Sequence, residues 1–133
     1  MRRHHADGER GAAAVEFALV LPILILLIFG IVEFSISYNR QQALHAAARE
    51  GARTASVPSS TTSDINTAVT NALQGVTFDS SPTITITPSA SQPCLNRSGQ
   101  TVTVQVRANS QLDIPLWNNV TVSLSGQGQF RCE

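Results

Sequence analysis

The stretch RGAAAVEFALVLPILILLIFGIVEF, Arg10 to Phe34, decides the fold. Phe17 to Val32 holds no charged residue, and Ala12 to Val15 extend the apolar run to 21 residues interrupted only by Glu16. About 20 apolar residues in a helix cross the hydrocarbon core of a bilayer, whereas the apolar part of a secretory signal is usually about 7–15 residues. The run therefore predicts one membrane-spanning helix. Arg2, Arg3 and Arg10 precede it and the next basic residue is Arg40. That asymmetry predicts a cytoplasmic N-terminus and an extracytoplasmic C-terminal part, held at the cell membrane by a single pass.

Glu16 is the informative exception in this run. An acid inside an apolar helix costs about 2.5–3.5 kcal/mol on insertion scales and calls for a cationic partner. No basic residue lies between Arg10 and Arg40 to supply one. Chain cleavage nearby would supply it as a new α-amino group. Two other readings stay open at this point. A plain anchor would leave Glu16 at the headgroup boundary, and a secretory signal cut before Tyr38 would use Ser35 and Ser37 as its small residues.

Glu33 to Val57, EFSISYNRQQALHAAAREGARTASV, is rich in Ala, Gln, Arg and Glu and has no Pro before Pro58. These residues favour helix, and Pro58 disfavours its continuation. One helix from about Ala12 to Ala55 is predicted, roughly 66 Å long, with Pro22 and Gly30 as weak points. Small residues recur at spacing four as Ala43, Ala47, Gly51 and Ala55, with Ala48 and Ala52 beside them. Such rows admit a second backbone at close range, either a neighbouring subunit's helix or the chain's own sheet.

A basic leader ending in Gly11, then Ala12, Glu16 five residues after the Gly, Phe17 and an apolar helix: this order resembles a type IV prepilin signal. With AAREGARTA at Ala47–Ala55, it resembles the TadE/TadG-like pseudopilins of the Flp/Tad (tight adherence, type IVb) pilus system, closest in length to TadE. The resemblance covers residues 10 to about 57. It implies cleavage between Gly11 and Ala12 by a prepilin peptidase and a role for Glu16 and Phe17 in assembly. It further implies other pilin and pseudopilin subunits and the Tad pilus assembly machinery as partners. The alternative is a single-pass anchored module that binds through its sheet or through residues 88–100 and 109–118.

The remainder predicts a small outer domain. SVPSSTTS at 56–63 is turn-rich. Asp64 to Gln74 has one apolar face (Ile65, Val69, Ala72, Leu73), with Ser63 as its expected N-cap and Gly75 placed to end it. TITIT (83–87), TVTVQVR (101–107) and NVTVSLS (119–125) alternate strictly between aliphatic and polar, the period of half-buried strands. Residues 76–78 and 129–132 are expected as short edge strands. The fold class is α+β: a long N-terminal helix, a short helix, and a small antiparallel sheet packed on the outer half of the long helix. The expected divisions are a leader at 1–11, a span at 12–33, an outer continuation of the helix at 34–57 and an extracytoplasmic domain at 58–133. Cys94 and Cys132 both fall in the outer part, where thiols oxidise, and a disulfide between them is expected. Closing 39 residues, it would contribute about 4 kcal/mol in the chain-entropy model.

Composition narrows the function. Nine Arg and no Lys balance nine acids, and charged residues are 14% of the chain, against about 25% in an average domain. No basic excess exists to displace counterions from nucleic acid. His4 and His5 lie in the leader, and no CxxC or HxxxH spacing marks a metal site. No nucleophile arrangement appears, so neither an enzyme, a cofactor nor a small-molecule substrate is expected. Gly126-Gln127-Gly128 is expected as a turn or bulge, and Trp117 as a plug of the local core.

Overall fold

The computed structural model describes residues 6–88, 90–113 and 119–133 of the chain, with side chains from residue 11 onward. Helix α1 (Ala6–Ala55) is followed by α2 (Thr62–Ala72) and by strands β1 (Thr83–Thr87), β2 (Thr101–Leu112) and β3 (Val120–Arg131). The strands form one antiparallel sheet in the order β1-β2-β3. This is the α+β arrangement expected. Trp117 falls outside the described residues.

The 50 residues of α1 make a rod about 75 Å long. Pro22 sits inside it without ending it. The rod has two unlike halves. From residue 11 to 32 nearly every side chain is exposed, whereas Leu44, Ala47, Ala48, Ala52 and Ala55 are completely buried. The change follows the sequence, since Ala and Gly replace Leu and Ile where the helix meets the sheet.

The sheet presents one face to that helix. Val102, Val104, Val106, Ala108 and Ser110 of β2 are buried in strict alternation. Opposite them in β3, Gly128 pairs with Val104, Gly126 with Val106 and Leu124 with Ala108. Large therefore faces small across the ladder. The two glycines form a notch, and α1 lies in it. A Cβ on Gly126 would collide with the backbone of Leu44 and His45, and one on Gly128 with the backbone of Ala48 and Arg49. Gly126-Gln127-Gly128 is thus neither a turn nor a bulge. It is regular strand in which glycine gives a helix backbone room to approach.

Other expectations shift for physical reasons. β2 runs past Arg107 to Leu112 because Ala108 and Ser110 keep the inward phase despite being small or polar. β3 runs on to Arg131, absorbing most of the expected 129–132 edge strand. Residues 76–78 form no strand. Residues 109–112, expected as a loop, belong to β2.

α2 starts earlier than expected, and Thr61, not Ser63, is its N-cap. Asp64 stands three residues after Thr61, the spacing of a capping box. The Asp64 backbone N–H donates to Thr61 Oγ1 (3.3 Å), while the Thr61 N–H (2.9 Å) and hydroxyl (2.7 Å) donate to Asp64 Oδ2. The Thr62 N–H is drawn to the Ser91 carbonyl (2.9 Å), which fixes the chain entering the helix. Gly75, at φ +83°, follows the helix end as anticipated. Ile65 and Val69 of α2 pack against Gly51, where an added Cβ would stand 2.5 Å from Val69 Cγ2.

The C-terminus is tied back to the end of α1. Cys94 and Cys132 form a disulfide with Cα atoms 5.3 Å apart, and both are buried in the core. The Cys132 N–H donates to the Gln100 carbonyl (2.7 Å), the Gly99 N–H to the Cys132 carbonyl (2.9 Å), and the Glu133 N–H to the Ser56 carbonyl (3.0 Å).

Gly126→Ala is expected to destabilise the outer domain by about 3 kcal/mol, because the colliding atoms are backbone and cannot rotate away. Chemical denaturation should show this as a lower midpoint, with the exposed neighbour Gln127→Ala within about 0.5 kcal/mol of wild type. A second expectation concerns acid. The Thr61 hydroxyl, and then its backbone N–H, hold the Asp64 carboxyl below its usual 3.8. A lowered carboxyl stabilises the fold fully above its unfolded value, and that contribution fades as pH falls through the folded value. Protection of α2 amides, corrected for intrinsic exchange, should therefore drop on acidification below 3.8. Asp64→Asn should abolish that acid-dependent step.

Candidate functional site

Two regions of α1 carry the residues singled out by sequence. The first is the exposed length from Gly11 to Val32, which holds Gly11, Ala12, Glu16 and Phe17 on a continuous helix. Ala12 and Glu16 are four apart and so share one helix face, one turn from each other. Phe17 is 61% exposed, and the large side chains after it, Leu19 through Val32 apart from the half-buried Leu26, are exposed on every side of the helix. A helix apolar all round has no preferred face for a soluble core. Among the described residues, this is the one helix long and apolar enough to cross a membrane.

The second region is the small-residue row. Ala47, Ala48, Gly51, Ala52 and Ala55 are buried within the chain's own domain, with Ala43 packed at the margin of that core. Of the two uses open to such a row, the structure displays seating on the chain's own sheet and α2. Ala48, beside that row, lies against Gly128, whereas Gly51 faces Val69 and Ile65 of α2 and Val104 of β2. Sequence inspection missed the part of the β3 glycines. A signal was present, because Gly126 and Gly128 continue the inward phase of Val122 and Leu124, which a turn would not do.

Polar groups fix the helix where it reaches the sheet. Arg40, the first cation after the apolar run, pairs with Asp79 (3.5 Å) and donates to the Ser110 hydroxyl. Ser110 is completely buried, so this bond satisfies a hydroxyl that would otherwise be costly. Asp79 also accepts from the Gln111 backbone N–H (2.7 Å), which ties the segment after α2 to the end of β2. The next residue, Gln41, donates from Nε2 to the Ser125 carbonyl of β3 (2.7 Å). Neither Arg40 nor Ser110 stands out in the amino-acid sequence as a functional residue; their pairing depends on long-range register and has no local signal.

The described residues contain no group of three His, Cys, Asp or Glu side chains placed to hold a metal ion. No curated protein and no solved structure matches the chain. One protein family does. Its match covers all of the exposed apolar run and ends inside the last turn of α1, leaving α2 and the sheet outside it. Residues 11–53 match the family described as TadE-like protein, and the long helix of this chain is similar to that family over this length.

Proposed function

We propose that the chain is a membrane-anchored, pilin-like subunit acting in assembly of a Tad-type pilus, with a structural and not a catalytic task. The observation that supports this best is the placement of Glu16. It lies five residues after Gly11, on a helix exposed over its whole apolar length and seated on a sheet at the other end. In this reading residues 1–11 are a cytoplasmic leader, 12–33 the span, 34–57 its outer continuation, and 58–133 an extracytoplasmic domain. The TadE-like match over 11–53 takes in the proposed cleavage bond, the span and most of its helical continuation.

Cleavage between Gly11 and Ala12 has a physical logic. The bond lies within α1 in the uncut chain. Glycine costs about 1 kcal/mol relative to Ala in a helix, so local opening for a peptidase is least expensive there. The cut creates an α-amino group at a helix N-terminus, where the macrodipole disfavours a cation and favours an anion. Glu16, one turn along, compensates for the ammonium of Ala12, on its own chain or on a neighbour's. Two charges that are each unfavourable in hydrocarbon are thereby neutralised together, and the pairing sets the axial register of adjacent subunits. Removing the leader leaves six Arg and seven acids, a formal charge of −1.

Glu16→Ala is expected to leave membrane insertion intact, since the substitution only makes the span more apolar, and to impair pilus assembly. Piliation at the wild-type level in that variant would refute the assembly role. Intact-mass measurement on chain purified from native membranes should give a start at Ala12. A start at Met1 would instead favour an uncut anchor, and a start at Tyr38 a secreted domain.

A further inference from the structure

A groove of about 500 Å³ lies between the middle of α1 and the hairpin end of the sheet. Its apolar wall is Phe29, Gly30 and Phe34 on the helix and Leu112, Val122 and Leu124 on the strands. That volume falls in the range of small-molecule sites. Its position along the rod identifies the medium it opens to. Phe29 and Gly30 belong to the last turn of the charge-free run that ends at Val32, so the ends of β2 and β3 stand level with the outer edge of the apolar span. Phe34 is 72% exposed and stacks on Tyr38 with ring centroids 6.3 Å apart, a pairing suited to the aromatic belt of a membrane boundary.

The polar lining is one-sided in charge. Glu33 and Asp113 both border the groove. Arg40, the nearest cation along the helix, is occupied by Asp79 and Ser110. The hydroxyl of Ser37, also in the lining, is buried and has no hydrogen-bond partner among the described residues. An apolar slot with two carboxylates and a free hydroxyl at its outer border fits a molecule with an alkyl chain and a polar head that carries both a cation and oxygen atoms. We infer that the groove holds one phospholipid of the outer leaflet with an ammonium-bearing headgroup. Its acyl chain lies between Phe29, Gly30 and Leu112, its ammonium is drawn to Glu33 and Asp113, and the Ser37 hydroxyl, about 6 Å farther out along α1, meets oxygen atoms of the headgroup. The bound lipid fills the wedge between helix and hairpin, so the outer domain rests on the bilayer at a fixed height. The inference depends on the anchored reading above.

The test uses the full-length chain, released from membranes in mild detergent and analysed by native mass spectrometry. Phosphatidylethanolamine and the anionic phosphatidylglycerol are supplied separately. Wild type should retain one phosphatidylethanolamine and favour it roughly tenfold over phosphatidylglycerol. Gly30→Leu places a side chain where an added Cβ meets no other atom within 4 Å, so it occupies the groove without disturbing the fold. It should lower retention by roughly tenfold, the worth of two displaced methylenes. Glu33→Gln with Asp113→Asn should keep retention but abolish the headgroup preference. Unchanged retention in Gly30→Leu, or a preference for phosphatidylglycerol in wild type, would overturn the proposal. So would a wild-type dimer that Gly30→Leu dissociates while lipid retention stays intact, because the groove would then seat a second copy. Alkaline extraction separates the two levels of the account. Release of the chain from membranes fails the anchored reading, whereas a chain that stays inserted yet retains no lipid fails this inference alone.

Discussion

The architecture depends on one close contact, the backbone of α1 lying in the notch made by Gly126 and Gly128. A helix normally meets a sheet through side chains that hold it at a distance. Here the helix brings the backbone of Leu44, His45, Ala48 and Arg49 to the strand, and the strand contributes no side chain at two successive inward positions. Close approach maximises dispersion contacts and leaves no void to fill. It also lets Gln41 reach the Ser125 carbonyl and Arg40 reach Ser110, polar bonds that tie the helix to the edge strand and to the buried face. A small domain with few large core residues is held together by this arrangement, supplemented by the disulfide at the far end.

The same contact gives the apolar half of the rod its mechanical meaning. A span joined to its outer domain by a loose linker would transmit neither orientation nor force. In this chain, residues 33–40 are helical throughout, so the exposed apolar length and the sheet-seated length are parts of one element. Charge follows the same division. The apolar run carries only Glu16, cations resume at Arg40, and the outer domain is polar mainly through Ser, Thr, Asn and Gln. The low overall charge is thus a sum over unlike parts and not a property of any one of them.

Much of this was legible in the residues. The 21-residue apolar run, the Ala-rich continuation and the three alternating segments define the α+β class and most boundaries, because helix and strand periods are local properties. β1 falls on Thr83–Thr87 as expected. What was not legible depends on partners distant in sequence. The glycines of β3 resembled a turn until a helix was seen to need the space. Ser63 and Thr61 are both reasonable caps, and only the reciprocal bonds with Asp64 decide between them. The Arg40 contacts with Asp79 and Ser110 join three elements and leave no trace in any one of them. Of the candidate site, the order Gly11, Ala12, Glu16, Phe17 was evident at once, whereas the inward direction of the small-residue row required the fold.

Continuity of α1 from its apolar length to the sheet is the central claim, and an interspin distance tests it most directly. Non-cysteine spin labels at Ile25 and Arg49, both exposed, bracket the junction while leaving the disulfide intact. In the full-length chain reconstituted in lipid bilayers, a single helix predicts a narrow distribution centred at about 36 Å, from 1.5 Å per residue. A broad distribution, or one centred well below that value, would show a hinge between the apolar length and the sheet and would contradict the account.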